Sequence, residues 1–277
     1  MPLAEKLCLW NGRALFIGSV PDLDFHAQAA ALICIALEKP FELTAAGGET
    51  QLCRSALIGP QTLHALKPAG SVCAFLFIDP DNTDYDLLLK SNRPDVRGIT
   101  TPLGQEGRLF SALEQIVAAT DTTGLCALLK QLELSPETAG PTLSDERIQR
   151  VVQRLISEPG ESIPIESLAA SVDISPSRLA HLFKEQVGVP IRMFRTWFRL
   201  KTAVVFLKEG MSLTDAALRA GFYDSAHFAN TFRETFGLPP SVVFSPQRAL
   251  QWYVREDYQN PAASHSVTRL HGDSIRF

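Results

Sequence analysis

The sequence lacks both the long hydrophobic segments of a membrane protein and the leader of a secreted one. No apolar run approaches the roughly 18 to 20 residues that a membrane-spanning helix requires. The first residues do not combine a basic stretch with an apolar core, as a secretory signal would. We therefore expect a cytoplasmic protein that makes no contact with a membrane.

Cysteine and histidine are scarce, which argues against a disulfide framework and a metal centre. The five cysteines are an odd number, and no C-x-x-C spacing occurs. Cys34, Cys53 and Cys73 could sense oxidants, but buried and unreactive thiols are the commoner case. The N-terminal half has only His26 and His64 as histidine ligands, whereas a catalytic metal site needs several clustered donors. We expect no metal and no cofactor.

Acidic and basic residues are divided unevenly along the chain. The formal net charge is −4, and residues 1–143 carry ten basic and sixteen acidic side chains. Residues 144–248 carry thirteen basic and eleven acidic ones. A chain of 277 residues with 45% hydrophobic content can bury more than one core. These figures predict two domains, an acidic N-terminal one and a slightly basic C-terminal one.

A repeated segment occupies the last third of the chain. Residues 179–190 recur 49 residues later as 228–239, and the copies share Ala, Phe, a basic residue, Glu, Gly and Pro in register. Each copy is preceded by a typical N-cap residue and contains a glycine near its end, where a helix would stop. This pattern predicts one helix per copy. These residues are Ser175 and Asp224 at the starts and Gly188 and Gly237 at the ends.

A shorter helix is predicted upstream of each copy, at 165–172 and at 213–220. A short helix, a tight turn and a second helix form a helix-turn-helix motif. Paired amphipathic helices that merely build an all-α core are the alternative. The charge favours the first interpretation, because residues 175–208 contain seven basic side chains and one acidic one, as a phosphate-binding surface would.

The motifs of this region resemble those of the AraC/XylS family of bacterial transcription regulators. The matching stretches, within about 145–245, are Leu168-Ala-Ala, Ser175-Pro-Ser-Arg-Leu, Leu182-Phe-Lys, Ala220-Gly-Phe, Asp224-Ser-Ala-His-Phe and Phe236-Gly-Leu-Pro-Pro240. The resemblance implies two helix-turn-helix subdomains joined by a long helix. Their second helices would enter adjacent major-groove segments, about 34 Å apart, on one face of double-stranded DNA.

The resemblance also implies roles for exposed residues on the two second helices. Contacts with base edges are expected from Ser177, Arg178, His181, Ser225, His227 and Asn230. Lys184 and Arg233 are expected to meet phosphates, which set register without reading sequence. Arginine can fork onto guanine and asparagine onto adenine. A solvated charge at Arg178 and plain surface histidines at His181 and His227 are the alternatives.

The N-terminal half is rich in short β-type runs. Gly47-Gly48 marks a hairpin and Gly59-Pro60 a turn, so a small antiparallel β-barrel or sandwich followed by two helices is expected. His26, Gly59-Pro60 and His64 weakly resemble the family's sensor domain, which implies a cupin-like barrel. The expected fold class is α+β in two domains: a small antiparallel β-barrel with two helices, then an all-α double helix-turn-helix.

A barrel of this kind could hold a small organic ligand in an apolar cavity, since such sites need few polar groups. His26, Arg54 and His64 are the candidate polar contacts, and satisfied structural residues are the alternative reading of all three. A protein partner that docks on the barrel is the alternative effector.

Two helices predicted near 108–119 and 125–134 each carry an apolar stripe. The stripes either pack on the barrel or meet across a two-fold axis in a homodimer, as in dimerising family members; we expect the homodimer. The next segment, 135–144, contains two prolines and a glycine and is typical of a linker. The expected division is a sensor domain at 1–134, the linker at 135–144, a DNA-binding domain at 145–248 and a disordered tail at 249–277.

The long helix expected at 191–208 departs from the family pattern. Trp197, Val204 and Val205 stand where family members commonly carry charged side chains, and exposing them would waste apolar burial. They either dock against the sensor domain, as we expect, or pack within the DNA-binding domain.

These features predict a sequence-specific DNA-binding transcription regulator, not an enzyme, controlled by a small ligand or by a protein partner. A contact with RNA polymerase is implied by the resemblance alone. A DNA repair methyltransferase is the enzyme alternative, because one branch of the resemblance joins a similar DNA-binding domain to reactive cysteines. No Pro-Cys-His or Pro-Cys-Gln occurs in the sequence, however.

Overall fold

The computed structural model describes residues 5–92, 94–95, 97–104, 106–134, 143–245 and 247–255. Most of the expected linker at 135–144 and the tail beyond residue 255 lie outside these described residues. The strands are β1 (Lys6–Trp10), β2 (Arg13–Ser19), β3 (Leu23–His26), β4 (Ala31–Ala36), β5 (Phe41–Ala45), β6 (Thr50–Cys53), β7 (Ser55–Ile58), β8 (His64–Lys67), β9 (Val72–Ile78), β10 (Ile99–Thr100) and β11 (Gln251–Val254).

The described strands form two open sheets, so the expected small antiparallel β-barrel is not shown. The larger sheet has the order β10-β7-β4-β9-β2-β1-β11, and the smaller has the order β3-β8-β5-β6. The local prediction of a hairpin at Gly47-Gly48 is confirmed, because these residues connect the antiparallel pair β5 and β6. Turn residues specify such neighbouring pairs, whereas barrel closure depends on pairing between strands that are distant in sequence.

Alternating side chains give the larger sheet two buried faces. Along β2, Leu15 and Ile17 join one hydrophobic cluster, while Phe16 between them joins the other. The first face is covered by helices of the N-terminal domain, and the second by the smaller sheet and part of the C-terminal domain. The larger sheet therefore contributes one face to each of these two clusters.

Three helices accompany the sheets: α1 (Asp84–Ser91), α2 (Glu106–Ala118) and α3 (Thr122–Lys130). The sequence predicted the second and third but not α1. The apolar stripes are buried against the larger sheet, through Leu109, Leu113, Ile116, Leu125, Leu129 and Leu132. These stripes are therefore not available for the expected two-fold contact, because their apolar area is already removed from water within one chain.

The C-terminal domain is helical, as expected. Its helices are α4 (Glu146–Ser157), α5 (Ile165–Ala170), α6 (Pro176–Val187), α7 (Ile191–Lys208), α8 (Leu213–Arg219), α9 (Ser225–Phe236) and α10 (Pro240–Val243). The pairs α5 with α6 and α8 with α9 are the two helix-turn-helix units, and α7 joins them. Among the described residues, no helix has the length and apolar character needed to cross a bilayer.

The final strand corrects the expectation of a disordered tail from residue 249. β11 runs parallel to β1, with Lys6 opposite Gln251 and Leu9 opposite Val254. Tyr253 is buried in the core on the helix-covered face. The chain thus returns from the C-terminal domain to add an edge strand to the N-terminal sheet. A strand of four residues has too little periodicity to be predicted from the sequence. Its partner strand, β1, lies near the other end of the chain.

Candidate functional site

A reading helix is the second helix of a helix-turn-helix unit, the recognition helix that would contact DNA. The first candidate reading helix is α6. The Ser175 side chain accepts a hydrogen bond from Arg178 N at 3.3 Å, and Gly188 ends the helix with a φ of +82°. Its buried stripe is Leu179, Leu182, Phe183 and Val187. On the opposite side, Ser177, Arg178, His181 and Lys184 are exposed, so all four predicted contact residues of this unit share one solvent-facing surface.

The second candidate reading helix, α9, repeats this construction. The Asp224 carboxylate accepts a hydrogen bond from His227 N at 2.6 Å, and Gly237 ends the helix with a φ of +75°. Phe228 and Phe232 are buried. Of the predicted contact residues, His227, Asn230 and Arg233 are exposed and Ser225 is partly buried.

Two histidines on these helices have neighbours that limit what they can offer to a base. His227 Nδ1 accepts a hydrogen bond from Tyr223 N at 3.3 Å, which leaves Nε2 as the ring nitrogen that can donate. His181 Nε2 lies 4.0 Å from a carboxylate oxygen of Glu185, and both side chains are exposed. An exposed pair of this kind is weak, so it does not prevent His181 from contacting a DNA base.

Part of the basic stretch 175–208 is engaged within the protein. Arg195 donates to Ile163 O at 2.6 Å, and Arg199 donates to Pro159 O at 2.8 Å. Lys201 is buried in an ion pair with Asp79 of the N-terminal domain. The exposed members of the stretch are Arg178, Lys184, Arg192 and Lys208. The exposed basic surface is therefore smaller than the charge of this stretch in the sequence indicated.

Helix α7 contacts the N-terminal domain through Trp197, one of the three residues that departed from the family pattern. The Trp197 indole donates to Asp79 Oδ1 at 2.7 Å, and its ring centroid lies 5.6 Å from that of Phe77 in β9. Val204 and Val205 are both buried in the cluster that joins the two domains. Sequence reasoning missed Asp79 and Lys201, because neither residue carries a local signal for a partner in the other domain.

A cavity of about 100 Å³ lies between the larger sheet and the C-terminal domain. Leu9, Phe16 and Phe75 line it from the sheet, and Leu200 and Phe232 line it from the helices. The polar side chains in its lining are Lys201 and His26. The cavity is therefore apolar, and it is shared by the two domains rather than enclosed by the N-terminal domain alone.

Of the three predicted ligand contacts, His26 and His64 lie together, and Arg54 lies elsewhere. His26 borders the cavity. The buried His64 ring packs against the His26 ring, and the centroids of the two rings are 4.2 Å apart. Burial, and then the neighbouring His26, lower the pKa of His64 to about 3, so this ring is neutral. Arg54 is exposed and lies over the Phe110 ring, away from the cavity.

The cysteines proposed as oxidant sensors are buried. Cys34, Cys53 and Cys73 all lie within the sheets. Burial raises the pKa of Cys53 to about 11 and that of Cys34 well above its usual value. A thiol with a raised pKa is a poor nucleophile, which favours the inert reading of these residues. No group of three or more histidine, cysteine or acidic side chains in the described part of the chain is placed to hold a metal.

Comparison with known proteins gives a family match to the C-terminal domain and several relatives that align with part of the chain. A family model for a helix-turn-helix domain matches residues 168–245. The arabinose operon regulatory protein of Escherichia coli is 31% identical over 116 residues, which are 41% of this chain and 39% of that protein. The transcriptional activator RhaS of Klebsiella pneumoniae is 29% identical over 154 residues, or 52% and 54% of the two chains. The chain thus spans about two fifths to one half of these curated relatives.

The whole fold is similar to that of ToxT from Vibrio cholerae. An apo ToxT crystal structure aligns with a TM-score of 0.57 and 12% identity, covering 86% of this chain and 98% of that one. A structure of ToxT bound to an unsaturated fatty acid aligns with a TM-score of 0.51 and 13% identity, covering 84% and 94%. Residues 168–245 thus match a helix-turn-helix domain family, and the paired helix-turn-helix units are similar to those of the AraC/XylS transcription regulators.

Proposed function

We propose that this protein is a transcription regulator that binds specific double-stranded DNA through both helix-turn-helix units. The observation that carries the proposal is the matched construction of α6 and α9. Each helix is capped at both ends, buries one apolar stripe and exposes a polar and basic face. Faces of this composition suit a major groove, where the floor presents hydrogen-bonding groups and the walls present phosphates.

The exposed residues divide into two roles. Ser177, Arg178 and His181 on α6, together with Ser225, His227 and Asn230 on α9, are the proposed base-edge contacts. Lys184 and Arg233 lie further along their helices, where a long basic side chain meets the phosphate wall. The AraC/XylS family consists of regulators rather than enzymes, and the proposed mechanism involves no covalent step.

Selection from fragments of genomic DNA, followed by footprinting, tests the proposal. We expect the selected fragments to show two protected major-groove segments on one face, separated by about one helical turn. Substitution of Asn230 with alanine should relax base preference in one segment only, and substitution of Arg178 in the other. A failure to protect any bases at modest ionic strength would refute the proposed function.

We further propose that an apolar small molecule controls the regulator by binding in the cavity between the domains. The lining, in which Lys201 and His26 are the polar side chains among apolar ones, favours a mostly apolar molecule. The unsaturated fatty acid held by ToxT, which shares this fold, makes oleate a suitable first probe. A cavity of about 100 Å³ is smaller than a usual ligand pocket, so such a molecule would have to enlarge it by moving the domains apart.

A cavity-filling variant tests this control. Val204 lines the cavity, and phenylalanine at that position would occupy part of its volume. We expect oleate to change the melting temperature and the DNA affinity of the wild-type protein, and Val204→Phe to reduce both responses while retaining DNA binding. A protein partner is the alternative effector, and it would be favoured if oleate changed neither quantity and a partner were captured specifically by the N-terminal domain.

The remaining partners rest on the family resemblance. A contact with RNA polymerase would use a surface of the C-terminal domain that DNA leaves free. A homodimer would have to form through surfaces other than the stripes of α2 and α3, because those stripes are buried within the chain.

A further inference from the structure

Strand β3 of the N-terminal domain lies directly against the C-terminal end of α9. Asp24 N donates to Gly237 O at 3.0 Å, and Ala27 N donates to Glu234 O at 3.4 Å. A Cβ atom placed on Gly237 would come within 2.7 Å of both Asp24 O and His26 Nδ1. The two backbones therefore touch, with no room for a side chain between them.

The same strand supplies a carboxylate to one of the proposed phosphate contacts. Arg233 Nη2 donates to Asp24 Oδ2 at 2.5 Å. The two side chains remain 61% and 64% exposed, so the pair lies at the surface where DNA would approach. A carboxylate presents the guanidinium with the same kind of acceptor as a phosphate oxygen.

We infer that Asp24 acts as a built-in phosphate mimic, which competes with DNA for Arg233 and restrains the second reading helix. This inference rests on the proposed function and adds the regulation of its DNA-binding surface. While the domains are closed, DNA must displace a carboxylate that is already in place, and the Asp24 charge repels the incoming backbone. Release of β3 from α9 frees Arg233 to contact a phosphate of the DNA.

The restraint applies to one reading helix and not to the other. Lys184 holds the corresponding place on α6, and in the described part of the chain it forms no ion pair. At the end of α6, the side-chain nitrogen of Gln61 from the N-terminal domain donates to Gly188 O at 3.0 Å, and no carboxylate of the described residues pairs with Lys184. The first unit is thus free to bind while the second is held, and release of β3 would add the second contact.

The cavity offers a route to that release. Phe232 and Phe236 of α9 line it, and Arg233 follows the first of them directly. Leu23 and His26 of β3 line it as well. A molecule that enlarges the cavity would therefore press on both elements whose contact forms the restraint.

Two variants of equal charge test the inference. Asp24→Asn removes the mimic, whereas Asp22→Asn removes an exposed charge two residues earlier that forms no described ion pair. The probe is a mixed-sequence duplex of about three helical turns, titrated at several salt concentrations. We expect Asp24→Asn to bind about two- to fivefold more tightly at low salt, which is what an exposed ion pair is worth. Its salt dependence should steepen by about one unit, as one more phosphate contact requires.

Arg233→Ala completes the cycle. In that background Asp24→Asn should have no effect on affinity or on salt dependence, because the residue it frees is gone. Equal behaviour of Asp24→Asn and Asp22→Asn would overturn the inference, and so would an Asp24→Asn effect that persists without Arg233. If the wild-type protein bound no duplex at all, the proposed function itself would fail, which is a different result from equal binding by the two variants.

Discussion

Trp197 in α7 donates its indole N–H to Asp79, which follows β9, with Nε1 and Oδ1 2.7 Å apart. Lys201, one helical turn further along, forms an ion pair with the other oxygen of the same carboxylate. All three side chains are buried. One carboxylate of the N-terminal domain therefore holds α7 at two points, and both contacts require the domains to be closed.

Replacing Trp197 with phenylalanine should destabilise the closed arrangement. Asp79 would lose a donor while staying buried, which costs about 1 to 3 kcal/mol. Trp10→Phe is the matched control, because Trp10 is also buried but its Nε1 has no hydrogen-bond partner among the described residues. Urea denaturation should show the larger loss for Trp197→Phe. Equal losses would mean that the indole hydrogen bond contributes nothing beyond ring packing.

Asp81 should make stability depend on pH. Its Oδ1 atom is buried without a described partner, and burial, followed by the charge of Asp79, raises its pKa to about 7. A carboxyl whose pKa is raised on folding favours the protonated folded state, so stability falls as pH rises from about 4 to about 7. Asp81→Asn should remove this fall and stabilise the protein at pH 8, by on the order of 1 to 4 kcal/mol. Thermal melts of both proteins from pH 5 to pH 8 would measure it.

The two roles proposed for α6 make different predictions for DNA binding. Arg178→Ala should cost about 1 to 3 kcal/mol at a selected site and relax base preference there. Lys184→Ala should weaken all sequences alike and reduce the salt dependence by about one unit. Competition assays with selected and mixed duplexes separate these effects. Equal weakening of both duplexes by Arg178→Ala would remove its base-reading role.

The C-terminal domain could be predicted from the sequence because its signals are local. Ser175 and Asp224 act as caps in the structure, and Gly188 and Gly237 end the helices with positive φ. Each signal lies within one helix turn of the feature it specifies, and the repeat gave every signal twice. The long helix 191–208 was predicted with its observed ends.

The relation between the domains could not be predicted in the same way. Lys201 was counted with the phosphate-binding charges, although its partner Asp79 lies 122 residues earlier. Arg233 has its carboxylate in β3, 209 residues away. Nothing in the local pattern distinguishes a basic residue that meets solvent from one that meets another domain. The excess of acidic residues in 1–143 was visible in the sequence. The positions that their carboxylates take in the fold were not.

Removal of the last strand should loosen the N-terminal domain. A chain ending at Leu250 loses β11, uncovers the edge of β1 and removes Tyr253 from the core, at a cost on the order of 3 kcal/mol. The newly unpaired edge should also promote aggregation. A chain ending at Arg255 keeps the strand and is the control. Denaturation midpoints and light scattering would compare the two, and identical behaviour would show that β11 adds no stability.

Gly188 and Gly237 form a matched pair that isolates the contact between β3 and α9. Both end a candidate reading helix in the left-handed region, where an alanine costs about 1 to 2 kcal/mol in strain. Around Gly188 the space is open, whereas a Cβ on Gly237 would collide with Asp24 O and His26 Nδ1. Gly237→Ala should therefore be the more destabilising by about 1 to 3 kcal/mol.

The collision at Gly237 can be relieved in two ways, and DNA binding distinguishes them. If β3 moves away from α9, Arg233 loses its carboxylate, and Gly237→Ala should show the steeper salt dependence expected of Asp24→Asn. If instead the end of α9 distorts, affinity should fall with no such change in salt dependence. Gly188→Ala provides the baseline, since its added methyl group meets nothing within 4 Å. Because β3 is a four-residue edge strand and α9 has three turns of hydrogen bonds, we expect β3 to yield.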